Sequence, residues 1–223
     1  MLNAAKFIFQ TEIVLLWRRS QEWLYPLAFF CIIICLFPLA FTPDPAFLQK
    51  YMPGCIWIAA LLASLLAIEN IFFTEWEEGY LEQLLLSQIP LSLLMFIKLS
   101  AQWIVTQLPL IMLTPLLGFL FHLPLSATLA LCASLLLGTP ILTLTGSLCA
   151  ALTLGLRQQG VLLGLLVFPL ITPVLIFGVS IVQQSQAGLS IGGPLAFLSG
   201  LMILAMMLLP WTIAAMLRAA IDE

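Results

Sequence analysis

The chain has 223 residues, 63% of them hydrophobic and only 8% charged, with a formal net charge of −3. An ordinary soluble domain carries about 45–50% apolar and about 25% charged residues, so water is not the main solvent of this chain. The few charges are also unevenly placed, leaving blocks 23–43, 51–68, 99–156 and 158–217 without a single Asp, Glu, Lys or Arg. A bilayer core about 30 Å thick needs roughly 20 apolar residues per helix, and two of these blocks are long enough for two spans each.

In chain order, the first 22 residues come before any apolar block. They contain Lys6, Glu12, Arg18, Arg19 and Glu22, and Gln10, Thr11 and Glu12 interrupt the apolar run from Phe7. A cleavable signal peptide would have a continuous apolar stretch and a small-residue cleavage site. An interfacial helix fits better than an extension of the first span, with Phe7, Val14 and Leu15 toward lipid and Arg18 and Arg19 toward headgroups.

Six membrane-spanning helices follow, predicted at about 23–41, 53–73, 99–120, 128–153, 161–182 and 196–217. The fold class is thus an all-α membrane protein. It has six transmembrane helices, an N-terminal interfacial helix and a cytoplasmic coupling helix between spans two and three, in one transmembrane domain over 1–223. Backbone groups cannot stay open in a bilayer, so Pro109, Pro115, Pro140, Pro169, Pro173 and Pro210 read as kinks and packing sites and not as chain breaks. Orientation follows Lys and Arg near span ends. With both termini inside, Lys6, Arg18, Arg19, Lys98, Arg157 and Arg218 are cytoplasmic and Lys50 alone is on the far side.

Several chemistries are excluded. A phosphate loop needs Lys after Gly, and none of Lys6, Lys50 or Lys98 follows a Gly. His122 is the only histidine, so neither a two-histidine zinc helix nor a bis-histidine haem site can be built within one chain. Gly146-Ser147 lacks the nucleophile-elbow pattern, and the topology sets Ser147 far from His122. All five cysteines (Cys31, Cys35, Cys55, Cys132 and Cys149) sit in or beside apolar spans with no Cys-x-x-Cys pair, as small buried hydrophobes do. Glu69, about one turn inside the end of span two, reads either as an ion site or as a carboxylate that reaches the interface or pairs with Arg18 or Arg19. The chain is expected to be no enzyme and to hold no catalytic, metal or cofactor site of its own.

The segment from Phe72 to Lys98 is the most charged loop. Thr74 and Glu77 have capping-box spacing, and Glu75, Glu77 and Glu78 lie near the positive end of the helix dipole they would start. Gly79 permits a bend, Leu81, Leu84 and Leu85 form an apolar stripe beside Glu82 and before Ser87, and Pro90 stops the run. Such a helix either dips into lipid or docks in a soluble partner's groove. Four carboxylates near an anionic leaflet favour docking.

Acidic residues, Gly-x-Leu-Glu, a leucine run and then Pro resemble the first coupling helix of type-2 ABC transporter permeases. The runs FPLAF (37–41), PGCIWIAALLASLLAIENIF (53–72), GYLEQLLLSQIPL (79–91), WIVTQLPLIMLTPLLG (103–118) and LLLGTPILTLTGSLCAALTLGLRQQGVLLGLLVFPL (135–170) are similar to those of the CcmB family, the haem exporter B permeases of bacterial cytochrome c maturation. That resemblance covers nearly the whole chain. It implies ATP bound on a partner ATPase (A), haem handled by the complex, a haem-handling membrane protein (C), a small membrane helper (D) and a periplasmic haem chaperone (E). It also implies residence in the bacterial inner membrane. ATP hydrolysis would release the haem-loaded chaperone from C. The alternatives are a type-2 permease for a lipid, drug or polysaccharide, and a scaffold that moves nothing. Gly160-x-x-x-Gly164, Gly138 and Gly155 allow close helix packing, within the chain or in a homodimer.

Overall fold

The computed structural model describes residues 2–40, 45–69, 71–73, 76, 79, 89–154 and 159–221. Seven helices make up the described architecture: α1 (Leu2–Arg18), α2 (Ser20–Ala40), α3 (Pro45–Ile68), α4 (Leu91–Leu120), α5 (Leu125–Leu152), α6 (Gln159–Gln186) and α7 (Gly192–Ile221). Helices α2 to α7 are each long and apolar enough to cross a membrane, and α1 is the shorter N-terminal helix.

Prolines start helices here as well as lying inside them. Pro45 is the first residue of α3, while Pro90 and Pro124 immediately precede α4 and α5. Proline's fixed φ and missing N–H suit a first turn, whose amides have no intrahelical partner. The helices also continue through Pro109, Pro115, Pro140, Pro169, Pro173 and Pro210. Hydroxyls within the spans bond their own helix: Ser64 donates to the Ala60 carbonyl (2.7 Å), Thr106 to Gln102 (2.8 Å) and Thr143 to Thr139 (3.1 Å). This satisfies polar groups that lipid cannot.

Two helices begin ahead of the spans read from the sequence. α4 begins at Leu91 instead of about 99, and α3 at Pro45 instead of about 53. The charge-free blocks start after Lys50 and Lys98, yet Lys50 lies in the second turn of α3 and Lys98 about two turns into α4. Long side chains tolerate such positions because an apolar stem carries the charge toward a partner or the interface.

The central helix is α5, which packs on α3, α4, α6 and α7 and is the most enclosed span, whereas α2 is the least. Trp57 of α3, 0% exposed, lies where a Cβ at Gly138 of α5 or at Gly178 of α6 would stand. Its Nε1 donates to Ser134 Oγ (3.2 Å). On the other side of α5, Trp103 of α4 donates from Nε1 to Thr139 Oγ1 (2.9 Å). At one end of the bundle, Gln49 Nε2 donates to the His122 carbonyl (3.0 Å), and Gln186 Nε2 donates to the Gln49 carbonyl (3.0 Å). The start of α3, the α4–α5 turn and the end of α6 are thereby held together, as alternating up and down spans require.

α1 ends at Arg18 and is a separate helix from α2, packed against α4 and more lightly against α2. Phe7, Val14, Leu15 and Trp17 are exposed along it. Trp17 stacks on Trp23 of α2 with ring centroids 5.1 Å apart, and Trp23 Nε1 donates to the Trp17 carbonyl (3.4 Å). The two aromatics brace the corner where the chain turns from α1 into α2.

Candidate functional site

The charged segment between α3 and α4 leaves the end of the bundle opposite the Gln49–His122–Gln186 junction. Four successive contacts fix the place where the chain departs from α3. The Ala67 carbonyl accepts a hydrogen bond from Gln102 Nε2 of α4 (3.2 Å). Ile68 Cδ1 lies 2.8 Å from where a Cβ on Gly146 of α5 would stand, so only glycine lets that side chain seat so deeply. The Glu69 carboxylate rests against Gly160, in the first turn of α6, in the space its missing Cβ would fill. Phe72 is fully buried, with Lys98 Nζ of α4 5.7 Å from its ring centroid in cation–π range.

Beyond Phe72 the chain keeps turning. Trp76 N–H bonds the Phe72 carbonyl (2.9 Å), Gly79 N–H bonds the Trp76 carbonyl (3.2 Å), and the Phe73 and Trp76 rings sit 6.5 Å apart. Gly79 has φ +67°, a left-handed conformation open to glycine at little cost. That conformation is compatible with a bend at this position. Pro90, expected to stop the run, also opens α4: its carbonyl accepts from the N–H groups of Leu93 (2.9 Å) and Leu94 (3.2 Å). Glu75, Glu77, Glu78, Leu81, Glu82, Leu84, Leu85, Ser87 and Gly155 lie outside the described residues.

The sequence leaves three readings of Glu69 open: an ion site, a carboxylate at the interface and a partner of Arg18 or Arg19. Among the described residues Glu69 pairs with neither Arg18 nor Arg19; Arg19 Nη1 instead contacts Glu22 Oε1 at 3.3 Å, one turn along α2. Local pairing at i, i+3 orders less chain than a tertiary ion pair. Arg18 and Arg19 are both exposed.

The glycines divide by role. Gly138 receives Trp57 and Gly160 receives Glu69, both within the chain, whereas no atom lies within 4 Å of a Cβ built on Gly164. The Gly160-x-x-x-Gly164 pair is therefore not one continuous seam. Gly164 shares its open side of α6 with the exposed Val161 and Leu165. Sequence reasoning missed Gln102 and Trp57. Gln102 had a signal, a long amide in an otherwise apolar span, but Trp57 had none before its two facing glycines were brought together.

His122 sits at the opposite end, exposed, with φ +54°. Its backbone carbonyl, and not its imidazole, takes part in the junction there. Ser147 is fully buried in α5, six turns from the start of that helix at about 1.5 Å per residue, so it forms no dyad with His122. Cys31 and Cys35 are exposed on α2 and all five thiols are free.

A chain whose described residues form six long apolar helices and an added N-terminal helix, joined by one anchored charged loop, is a multi-pass membrane protein. The model of the CcmB protein family matches residues 3–220, and the chain belongs to that family. It is 44% identical to the heme exporter protein B of Pseudomonas aeruginosa over 223 residues, covering the full length of both chains. It is also 44% identical to that of Haemophilus influenzae over 216 residues (97% of this chain, 98% of the relative). Identity is 42% to that of Escherichia coli over 215 residues (96% and 98%).

Proposed function

We propose that this chain is the membrane subunit through which a separate ATPase drives haem delivery for c-type cytochromes. The observation that carries the reading is the full-length similarity to proteins named heme exporter protein B. The anchored departure of the 70–90 segment from α3 supports it physically, because a loop that receives a push must be tied to the helices it moves. In this reading the chain hydrolyses nothing. ATP binds on the partner (A), haem is cargo of the complex, and the haem-handling membrane protein (C), the helper (D) and the periplasmic chaperone (E) complete the path.

Both termini and the acidic loop face the cytoplasm of a bacterial cell, and the Gln49–His122–Gln186 junction faces the periplasm. Two copies, one for each of two ATPase subunits, form the working unit, and the uncovered Gly164 side of α6 offers a close-packing face for one of them.

The test is co-purification from membranes, followed by ATP-dependent release of the haem-loaded chaperone. The proposal predicts that the ATPase and the C protein both come with this chain and that ATP releases the chaperone. An ATPase without haem-handling partners would point to another cargo. Partners whose association ignores ATP would point to a scaffold.

A further inference from the structure

The 70–90 segment joins α3 and α4 directly, whereas α6 follows only after the whole of α5. Side-chain contacts at the exit of α3 are the short route from the segment to α5 and α6. The exit of α3 makes both: Ile68 seats on Gly146 of α5, and the next residue, Glu69, seats its carboxylate on Gly160 of α6. The opposite face is tied to α4 through Gln102 and the Ala67 carbonyl. Three consecutive residues thus address three different helices. Glu69 is the outermost of them and the one closest to the charged loop. A carboxylate at the first turn of a helix is also electrostatically favoured there, since the unpaired amides give that end partial positive charge.

We propose that Glu69 is a positioning residue that carries movement of the loop into α6, with Gly160 as its socket. This rests on the reading of the loop as the ATPase contact. The side chain bears on the second residue of α6, so a shift of the α3 exit pushes or releases the start of that helix directly. Gly160 serves this because any Cβ there would displace the carboxylate. The contact differs in kind from Trp57 in its two-glycine slot. Trp57 is enclosed and holds the bundle together, whereas Glu69 is exposed and beside the loop.

The experiment uses the complex with its ATPase and compares Gly160→Ala, Glu69→Asp and the two combined. Membrane insertion, ATPase co-purification, ATP turnover and ATP-dependent chaperone release are read separately. Each single variant should keep the ATPase docked and turning over ATP, yet lower release by about five- to tenfold, a size expected of a network mutation. The combined variant should recover, because a carboxylate shorter by one methylene fits beside the new methyl group; such non-additivity marks a direct contact. Glu69→Ala, which leaves Gly160 intact, should match Glu69→Asp or exceed its defect and serves as the check should Gly160→Ala not insert. Normal release in the Glu69 variants, or defects that merely add in the pair, would overturn the proposal while leaving ATPase docking untouched. Failure of the docking reading itself shows elsewhere, as retention of the ATPase when Leu84 and Leu85 are made acidic.

Discussion

Trp57 of α3 occupies the space a Cβ on Gly138 of α5 would take, so the approach of the two helices at this level depends on one ring and one missing methyl group. With Gly178 of α6 on the same indole, three helices meet at one side chain.

Gly138→Ala should therefore destabilise the bundle by about 1–3 kcal/mol, the usual cost of overpacking a filled core. Thermal denaturation of the detergent-solubilised protein measures it. Adding Trp57→Phe, which removes the indole edge facing Gly138, should return part of the loss. If Gly138→Ala melts like the parent protein, the ring does not occupy that slot.

At the opposite end, His122→Ala should leave cytochrome c maturation intact, because the junction uses the His122 carbonyl and the imidazole is exposed. The positive φ makes a different substitution costly. His122→Val should lower stability by about 1–2 kcal/mol, since a β-branched side chain in the left-handed region crowds the backbone more than His or Ala does. Loss of maturation in His122→Ala, with the complex assembled and its haem spectrum changed, would give this residue a role the account denies it.

Much of this architecture was legible before any coordinates. Six spans follow from charge-free blocks, and the N-terminal helix from an interrupted apolar run. The span edges at Lys50 and Lys98 were not, because a cation marks a helix end only when it has nowhere to go, and Lys98 reaches Phe72. Gly160 and Gly164 look like one motif in sequence, yet one receives a carboxylate and the other faces open space. For Glu69 the sequence leaves an ion site, the interface and the nearby arginines all open, because charge and position in the chain are all it displays. Its seat on α6 depends on where two distant segments meet. The Trp57 slot depends on tertiary approach for the same reason.

The six-to-one distribution of Lys and Arg predicts orientation. Single cysteines introduced near Gln88 and at both termini should be protected from a membrane-impermeant thiol reagent added outside. Those near Pro45, Pro124 and Ser190 should label. Labelling near Gln88 from the periplasmic side would remove the loop from any contact with a cytoplasmic ATPase.

Gly79→Pro should uncouple without dissociating. Proline fixes φ near −65°, whereas Gly79 stands at +67° and its N–H, which proline lacks, bonds the Trp76 carbonyl. The leucine-bearing segment should then leave at the wrong angle, so the ATPase co-purifies while chaperone release per ATP falls. Unchanged release would show that the bend at Gly79 does not aim the loop.

We propose that the ATPase takes hold at the acidic, leucine-bearing loop. A few apolar anchors should dominate such a contact, each worth about 2 kcal/mol or more on truncation, with rim charges worth less. Glu82→Ala should therefore weaken docking only modestly. The most direct measurement is ATPase co-purification with Leu84→Asp plus Leu85→Asp, normalised to membrane-inserted protein and paired with ATP-dependent release of the haem chaperone. The account predicts that both are lost while the six-span protein stays in the membrane; retention of both at parental levels would contradict it.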